Sequence, residues 1–433
     1  MLKSIKGLLG GIATAAAALA LAAPVHAQDD DGDVKLPPIH IGVILPNMPA
    51  DQNDLMAPIA RAAKQGAVMA QEEFTLNASM FDADFAVATE AASGGDAVIK
   101  AAEHLVNDEK VFALAGGFSH DEALALSQWS AQHNVPFLNL GAASDELRND
   151  QCAATTFDLA PSAAMYLDAL AGWYVRGGLR QWYFVQADNA ESKEQYERAE
   201  RAIDDRHFAA REVGHTVVPP GGALPDNAIS DIRNSGADLV MLLVDSKDQL
   251  AMLKQLEGAG ITTMITGFPY PETQTRAFFE ASRQAAPKLG TGMRAVEWEP
   301  TIDAYGAREL NARYLTRWGE PMEGSAWATY QAVKILYEAV TFTSSTAPRD
   351  VLAYMNSPDS VFDVYKGIGT SFRPWDRQLR QSLFLDKIDG TATDPKLVGQ
   401  LVGELPEIYM PGTDPIERLD QLGDLRDQSH CKR

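Results

Sequence analysis

Short apolar runs alternate with helix-patterned segments from residue 37 to about residue 290, and this alternation restricts the fold more than any other feature. The first apolar run is IHIGVIL, residues 39–45, which stops at Pro46. Small and apolar residues then recur at helical spacing from Pro58 to Phe74. Short β-branched apolar runs are typical of buried strands, and the longer 3.6-residue spacing is typical of helices. The chain therefore begins with a predicted strand and helix.

The same order continues in two series. The first series contains further predicted strands at 84–90, 111–117 and 135–144, with helices at 95–108 and 123–134. The second contains strands at 181–188, 211–219, 237–245 and 262–268, with helices at 192–208, 226–235 and 247–259. Strands that alternate with helices form parallel sheets covered by helices. We therefore predict two doubly wound α/β units, one of which is also covered by predicted helices at 305–318 and 326–342.

The first 27 residues have the pattern of a secretory signal peptide. Lys3 and Lys6 precede an apolar, Ala-rich run at residues 8–23, and Val25-His26-Ala27 fits a small-x-small cleavage site. A membrane anchor is the alternative, but the run is shorter than the roughly 20 residues that span a bilayer. We expect cleavage after Ala27, export to the periplasm, and no membrane insertion of the mature chain.

The mature chain is strongly acidic. Cleavage removes two lysines and no acid, so the formal charge moves from −22 to −24. Such a surface repels phosphate groups and anionic membranes, and no basic stripe with interleaved aromatic residues offsets this. The chain is also longer than one hydrophobic core usually organises, which favours two lobes. We expect a monomer that does not bind nucleic acid.

Cys152 and Cys431 are the only cysteines in the sequence. Two cysteines cannot form a four-cysteine zinc site, and in an oxidising exported compartment they pair most simply with each other. Two free thiols are the alternative. The predicted disulfide would hold the C-terminal tail near the middle of the chain.

The loop Phe118-Ser119-His120 follows a predicted strand that ends in Gly116-Gly117. In open parallel sheets, ligands bind beyond the carboxyl ends of strands, where the N–H groups of a helix start can hold a polar or anionic group. We therefore predict that Phe118, Ser119 and His120 contact a ligand. Helix capping alone is the alternative for Ser119 and His120.

Catalytic interpretations of this loop are weaker. Ser119, His120 and Asp121 are consecutive, whereas a nucleophile and its base converge from separate positions. The sequence contains no G-x-S-x-G, P-loop, G-x-G-x-x-G or H-E-x-x-H motif. The acids Asp29-Asp30-Asp31 lack fixed ligand spacing. We predict a protein that is not an enzyme and has no metal or cofactor.

The string VNDEKVFALAGGFSHDEALALSQWSAQHNVPFLNLGAASDELR, residues 106–148, resembles the first lobe of the leucine-binding-protein family. These are the type I periplasmic solute receptors of branched-chain amino-acid ABC transporters. The resemblance implies two doubly wound parallel-sheet lobes joined by a three-crossover hinge. It also implies a small-molecule solute in the cleft between the lobes and delivery of that solute to ABC permease membrane subunits. A periplasmic sensor with the same fold, or a branched-chain amino-acid receptor, is the alternative function.

In the first lobe, the resemblance carries ligand-binding roles to two short segments. Ser119 and His120 fall where the family has small hydroxyl residues that hold a ligand carboxylate. Gly141, Ala142 and Ala143 fall on the family's small residues and its threonine. Ala143 lacks the hydroxyl expected there.

The second lobe departs further from the family. Asp245 stands where amino-acid receptors usually have a tyrosine, and Phe268-Pro269-Tyr270 stands where an acid normally pairs the ligand ammonium. We predict that Asp245 and Tyr270 bind the ligand, with helix capping as the alternative for Asp245. Without the usual acid, we expect an uncharged or anionic, partly apolar solute rather than leucine.

The resemblance also divides the chain into regions. These are the signal peptide at 1–27, an acidic linker at 28–36, lobe I at 37–155 and 297–365, lobe II at 156–296 and 366–410, and a tail at 411–433. Segments 306–322, 325–340 and 366–385, with the tail, are similar to a receptor subgroup associated with pyrroloquinoline-quinone-dependent alcohol dehydrogenase systems. This similarity implies solute uptake linked to alcohol oxidation. We expect Trp375 and Arg380 to pack the lobes rather than to contact ligand.

Overall fold

Strands and helices alternate through most of the computed structural model, which describes residues 35–51, 53–204, 209–304, 306–407 and 410–431. The strands are β1 (Ile39–Leu45), β2 (Phe85–Ala91), β3 (Ala113–Gly116), β4 (Phe137–Asn139), β5 (Thr156–Asp158), β6 (Gln181–Ala187), β7 (Arg211–Val218), β8 (Leu239–Leu243), β9 (Met264–Gly267), β10 (Met293–Val296), β11 (Phe362–Asp363), β12 (Gly369–Thr370), β13 (Leu383–Ile388) and β14 (Gly399–Leu405). The helices are α1 (Met56–Ser79), α2 (Gly95–Asn107), α3 (His120–His133), α4 (Ala163–Arg176), α5 (Ala190–Asp204), α6 (Asp226–Asn234), α7 (Ser246–Gly258), α8 (Arg276–Ala285), α9 (Ala307–Trp318), α10 (Gly324–Thr343), α11 (Pro348–Asn356) and α12 (Pro415–Leu419). The predicted signal peptide, its cleavage site and most of the predicted linker lie outside the described residues, as do the end of the predicted helix 192–208 and the first residue of the predicted helix 305–318.

The two predicted series of strands form two separate parallel sheets, which confirms the predicted fold class. The first sheet has the order β2-β1-β3-β4-β5, and the second has the order β7-β6-β8-β9. All neighbours within each sheet run parallel. Because parallel strands share one direction, the carboxyl ends of each sheet lie at a single edge. Loops that follow different strands therefore meet at that edge.

Helix α10 covers the first sheet together with α1, as the sequence predicts. The small residues of α1 form a buried stripe at Ala60, Ala63, Ala67 and Ala70. At Gly66 the helices approach so closely that a Cβ atom would lie 2.3 Å from the carbonyl oxygen of Ala326. Glycine is required at this contact because any side chain would collide with the α10 backbone.

Helix α4 and a third sheet are among the parts of the fold that were not predicted. Helix α4 is buried on nearly all sides, so it lacks the polar face by which a surface helix is recognised in sequence. A third sheet has the order β10-β13-β14 and is antiparallel. Strands β10 and β13 pair across a long stretch of chain, and no local pattern in the sequence indicates such pairing.

The C-terminal tail is held to the body of the protein by a bond and by several polar contacts. Cys152 and Cys431 are joined, with an S–S distance of 2.10 Å. Arg380 Nε donates to Asp420 Oδ1 at 2.6 Å, and Trp375 Nε1 donates to the carbonyl of Asp424 at 3.1 Å. Trp375 and Arg380 therefore hold the tail, and the lobe-packing role expected for them stays a prediction. The predicted lobe boundaries stay a prediction.

Among the helices that the structure describes, none has both the length and the apolarity needed to cross a membrane.

Candidate functional site

Phe118 is positioned by the turn that follows β3. Gly117 has φ +77°, a left-handed conformation that favours glycine, and a Cβ there would lie 2.9 Å from Ala123. The Phe118 N–H donates to the Glu122 side chain at 3.3 Å. Gly141, in the loop after β4, lies against Phe118, since a Cβ at Gly141 would be 3.0 Å from the Phe118 Cα. The two loops thus form one continuous wall at the carboxyl edge of the first sheet.

This wall faces a small cavity whose other walls come from several parts of the chain. They are the loop after β5, helix α4, the turn after β9, the residue after β10, and the first turns of α1 and α10. The lining residues are Ile59, Phe118, Leu140, Gly141, Ala160, Tyr166, Pro271, Gln274, Thr275, Glu297, Gly324 and Ser325. The cavity volume is about 20 Å³, which is room for about one water molecule.

Gln274 connects the polar groups of the cavity. Its side-chain amide donates to the Tyr166 hydroxyl at 3.0 Å and to the carbonyl of Pro269 at 2.7 Å. Its side-chain oxygen accepts from the backbone N–H of Glu297 at 2.6 Å. Burial raises the pKa of Tyr166, so its hydroxyl stays protonated. Since this oxygen accepts from Gln274, the tyrosine proton can be donated to a bound solute.

Glu297 carries the only Asp, Glu, Lys or Arg side chain among the lining residues that the structure describes. It is 6% exposed, and its Oε1 atom has no hydrogen-bond partner within the described part of the chain. Burial raises the pKa of Glu297 to about 8, while the charge of Lys366 opposes this shift. A buried carboxyl group with an unused acceptor atom is therefore part of the cavity wall.

Lys366 lies behind this wall and is itself buried. Its ammonium group is 4.1 Å from the ring centre of Trp327 and donates to the side chain of Gln381 and to the carbonyl of Ser382. Burial lowers the pKa of Lys366 to about 7, although the charge of Glu297 raises it. Burial therefore favours the uncharged form of both side chains, while the charge of each favours ionisation of the other.

The predicted site residues are distributed around this cavity unevenly. Phe118 and Gly141 line it directly. The carbonyl of Ala142 accepts from Arg148 Nη1 at 3.0 Å. The partly buried Ala143 packs against the hydrophobic core that contains α4. These alanines border the Gly141 loop without lining the cavity.

Tyr270 lies one residue before the turn after β9, which lines the cavity. Its ring packs edge-on against Phe268, with 4.8 Å between ring centres. Its hydroxyl is hydrogen-bonded to the side chain of Gln195 at 2.9 Å. Burial raises the pKa of Tyr270, and the charge of Glu191 adds to this effect. Tyr270 is not among the lining residues of the described cavity, and its role in ligand binding stays a prediction.

Ser119 and Asp245 both lie at helix starts and are exposed. Ser119 precedes α3, and its side chain makes no capping hydrogen bond. Asp245 precedes α7, and its Oδ1 accepts from the Asp248 N–H at 2.8 Å. The structure thus gives Asp245 the capping role named as the alternative, and neither side chain lines the cavity. Their roles in ligand binding stay predictions.

His120 faces a separate groove of about 650 Å³. Its Nε2 atom is 3.7 Å from a carboxylate oxygen of Glu146. Burial raises the pKa of Asp145 to about 6 and that of Glu194 to about 7 in the walls of this groove. The groove shares no lining residue with the cavity next to Phe118. His120 and Phe118 therefore face different surroundings.

Tyr166, Gln274 and Glu297 were absent from the predicted site. Tyr166 lies on α4, which was not predicted as a helix. Glu297 follows β10, a strand of the unpredicted third sheet. The string VEWEP, residues 296–300, contains two acids in an apolar setting. This is the signal that could have indicated a buried carboxyl group.

Known proteins resemble this chain in sequence and in fold. The sequence profile of the family described as "Periplasmic binding protein" matches residues 38–393, and a search of curated protein sequences gives no significant match. A periplasmic binding protein from Burkholderia mallei superposes with a TM-score of 0.68 at 18% identity, covering 91% of this chain and 98% of that one. A branched-chain amino-acid ABC transporter ligand-binding protein from Burkholderia xenovorans has a TM-score of 0.72 at 15% identity. The match covers 85% of this chain and 95% of that one. A Rhodopseudomonas palustris solute-binding protein in complex with benzoate superposes with a TM-score of 0.68 at 14% identity, covering 92% of this chain and 100% of that one. The chain therefore belongs to the periplasmic binding protein family.

Proposed function

We propose that this protein is the exported solute receptor of an ABC transporter, and that it binds a small organic solute in the cavity bordered by Phe118, Tyr166 and Glu297. The observation that carries the proposal is the convergence of separate chain segments on this cavity. It lies beyond the carboxyl ends of parallel strands, where ligands bind in folds of this type. Delivery to a membrane permease follows from the class of protein.

The lining of the cavity suits a small, partly apolar molecule. Ile59, Phe118 and Leu140 supply apolar surface, and Gln274 and Glu297 supply polar groups at fixed positions. Mostly apolar walls with a few placed polar groups are typical of sites for small organic ligands. One structural relative is described as the ligand-binding protein of a branched-chain amino-acid ABC transporter, and another as a solute-binding protein in complex with benzoate. We propose a solute of similar size here.

Solute entry requires the walls to separate, because the cavity has room for about one water molecule. The walls come from the first sheet on one side, and from α4 and the turn after β9 on the other. A hinge movement between these parts would open the site, and bound solute would favour the closed form. Small-angle scattering should show a smaller radius of gyration with saturating solute. An unchanged radius would count against binding between the two walls.

The proposal is tested by calorimetric titration of the mature protein with amino acids, aromatic acids and alcohols. Phe118→Ala should weaken binding of any solute found by about tenfold to a hundredfold, because a buried phenylalanine contributes about 1.5–3 kcal/mol. Phe81→Ala is the matched control, since Phe81 is 42% exposed and does not line the cavity. Equal affinity of the wild type and Phe118→Ala would place the solute elsewhere.

We further propose that the solute is linked to alcohol catabolism. This rests on the similarity of residues 306–322, 325–340 and 366–385 to receptors of alcohol dehydrogenase systems. Deletion of the gene should slow growth on alcohols if the link is correct, and normal growth on every alcohol tested would reject it. Permease and ATPase genes beside this gene would favour transport over sensing.

A further inference from the structure

An acceptor atom in the cavity wall lacks a donor. Oε1 of Glu297 has no hydrogen-bond partner among the described residues, although the side chain is 6% exposed. The other carboxyl oxygen lies beside the first turn of α10, 3.6 Å from the position of a Cβ atom at Gly324. Buried acceptors are nearly always paired in folded proteins. The donor for Oε1 must therefore come from water or from the solute that occupies the cavity.

The charge of the cavity restricts what that donor can be. Lys366 is the cation that interacts with Glu297, and it lies outside the cavity lining. A solute ammonium would find no counter-charge, because burial holds the pKa of Glu297 at about 8 and the carboxyl group is protonated at neutral pH. A solute carboxylate would also lack a counter-charge, because no lysine or arginine lines the described cavity. Either ion would leave net charge in a buried site, which is unfavourable.

We propose that Glu297 accepts a hydrogen bond from the hydroxyl group of an uncharged, partly apolar solute, and that this contact selects such solutes over amines and carboxylates. The inference rests on the proposed function of the cavity. A hydroxyl group can donate to Oε1 and adds no charge. Its own oxygen can accept the proton of the Tyr166 hydroxyl, which also lines the cavity. Ile59, Phe118 and Leu140 would contact the apolar part of the solute.

Three probes with the same apolar body test this selectivity: benzyl alcohol, benzylammonium and benzoate. Calorimetry on the full mature chain at neutral pH should show that benzyl alcohol binds about tenfold more tightly than either ion. This ratio corresponds to a difference of about 1.4 kcal/mol in binding free energy. Glu297→Leu should weaken benzyl alcohol binding by about tenfold or more, because it removes the acceptor. Glu297→Gln keeps a side-chain oxygen and should stay within about threefold of the wild type.

Glu338→Leu is the matched control. Glu338 is a partly buried glutamate that pairs with the buried Lys334 and lies outside the cavity, so its replacement should leave benzyl alcohol affinity unchanged. Circular dichroism and thermal melting of each variant establish that it is folded. If Glu297→Leu does not fold, the inference is still tested by the affinities of the wild type and of Glu297→Gln for the three probes.

Each outcome separates this inference from the proposed function. If Phe118→Ala weakens benzyl alcohol binding and Glu297→Leu does not, the solute occupies the cavity and the role of Glu297 is wrong. If neither variant weakens binding, the cavity is not the solute site. Tighter binding of benzylammonium than of benzyl alcohol, lost in Glu297→Gln, would make Glu297 an ammonium partner and overturn the inference. Tightest binding of benzoate, or no binding of benzyl alcohol, would also overturn it.

Discussion

Replacing Glu297 with glutamine should change how the stability of the protein depends on pH. The folded protein holds the pKa of Glu297 at about 8, compared with an ordinary value of 4.5, because the carboxyl group is buried. Between these two values the folded state keeps the proton and the unfolded state releases it. The contribution of Glu297 to stability is therefore fully present below about pH 4.5 and is lost as the pH rises through about 8.

The size of the effect follows from one proton. A difference of one bound proton changes the free energy of unfolding by about 1.4 kcal/mol per pH unit. From about pH 5 to about pH 7, the wild type should lose about 3 kcal/mol relative to Glu297→Gln. Lys366 reduces this loss near the upper end of the range, because its charge stabilises the Glu297 carboxylate. At about pH 5 Glu297 is protonated and Lys366 charged in the fold, so the two proteins should have similar electrostatic stability.

Urea unfolding followed by circular dichroism at several pH values measures the difference between the two proteins. Other buried acids also titrate in this range. The pKa values of Asp145 and Asp376 are raised to about 6, and that of Glu194 to about 7, by burial. These groups are common to both proteins, so their effects cancel in the difference. A difference that stays constant from about pH 5 to about pH 7 would refute the assignment of Glu297 as a buried, protonated carboxyl group.

Three further predictions follow from other contacts. Arg276→Met should lower the free energy of unfolding by about 3–5 kcal/mol, because the Arg276 guanidinium lies 2.6 Å from Glu299 and 3.0 Å from Glu323 in a buried cluster. A loss below about 1 kcal/mol in urea unfolding would contradict this prediction. Asp245→Ala should cost about 0.5–2 kcal/mol through loss of the α7 cap, and a weakened solute affinity in titration would give Asp245 a ligand role as well. Mass spectrometry of non-reduced peptides from exported protein should find Cys152 linked to Cys431, and two alkylated thiols would reject the disulfide.

The strands of both parallel sheets could be predicted because each is a local pattern. IHIGVIL is β1 with the same bounds, since a buried parallel strand is apolar along its whole length. The positions of Phe118 and Gly141 at the carboxyl edge could be predicted as well, because they follow from the order of strands, and their contact with a ligand stays a prediction. The third sheet could not be, because β10 and β13 lie far apart in the chain.

The opposite wall of the site was harder to predict for the same reason. Tyr166 and Glu297 contribute to the cavity only through tertiary packing, and nothing in their neighbouring residues indicates that they meet. Asp245 illustrates the reverse case. It follows a buried strand and precedes a helix, which suits a ligand contact and a helix cap equally in sequence, and in the structure its side chain caps α7.

A crystal structure of the protein with bound solute would show whether the solute occupies the cavity between Phe118 and Glu297. Crystals grown with benzyl alcohol, or with a solute that co-purifies from the native host, should show density between Phe118 and Tyr166. We expect a solute oxygen within hydrogen-bond distance of the Glu297 carboxyl group and a cavity larger than the present one of about 20 Å³. Solute found instead in the acidic groove beside His120, with the Phe118 cavity unchanged, would contradict the account.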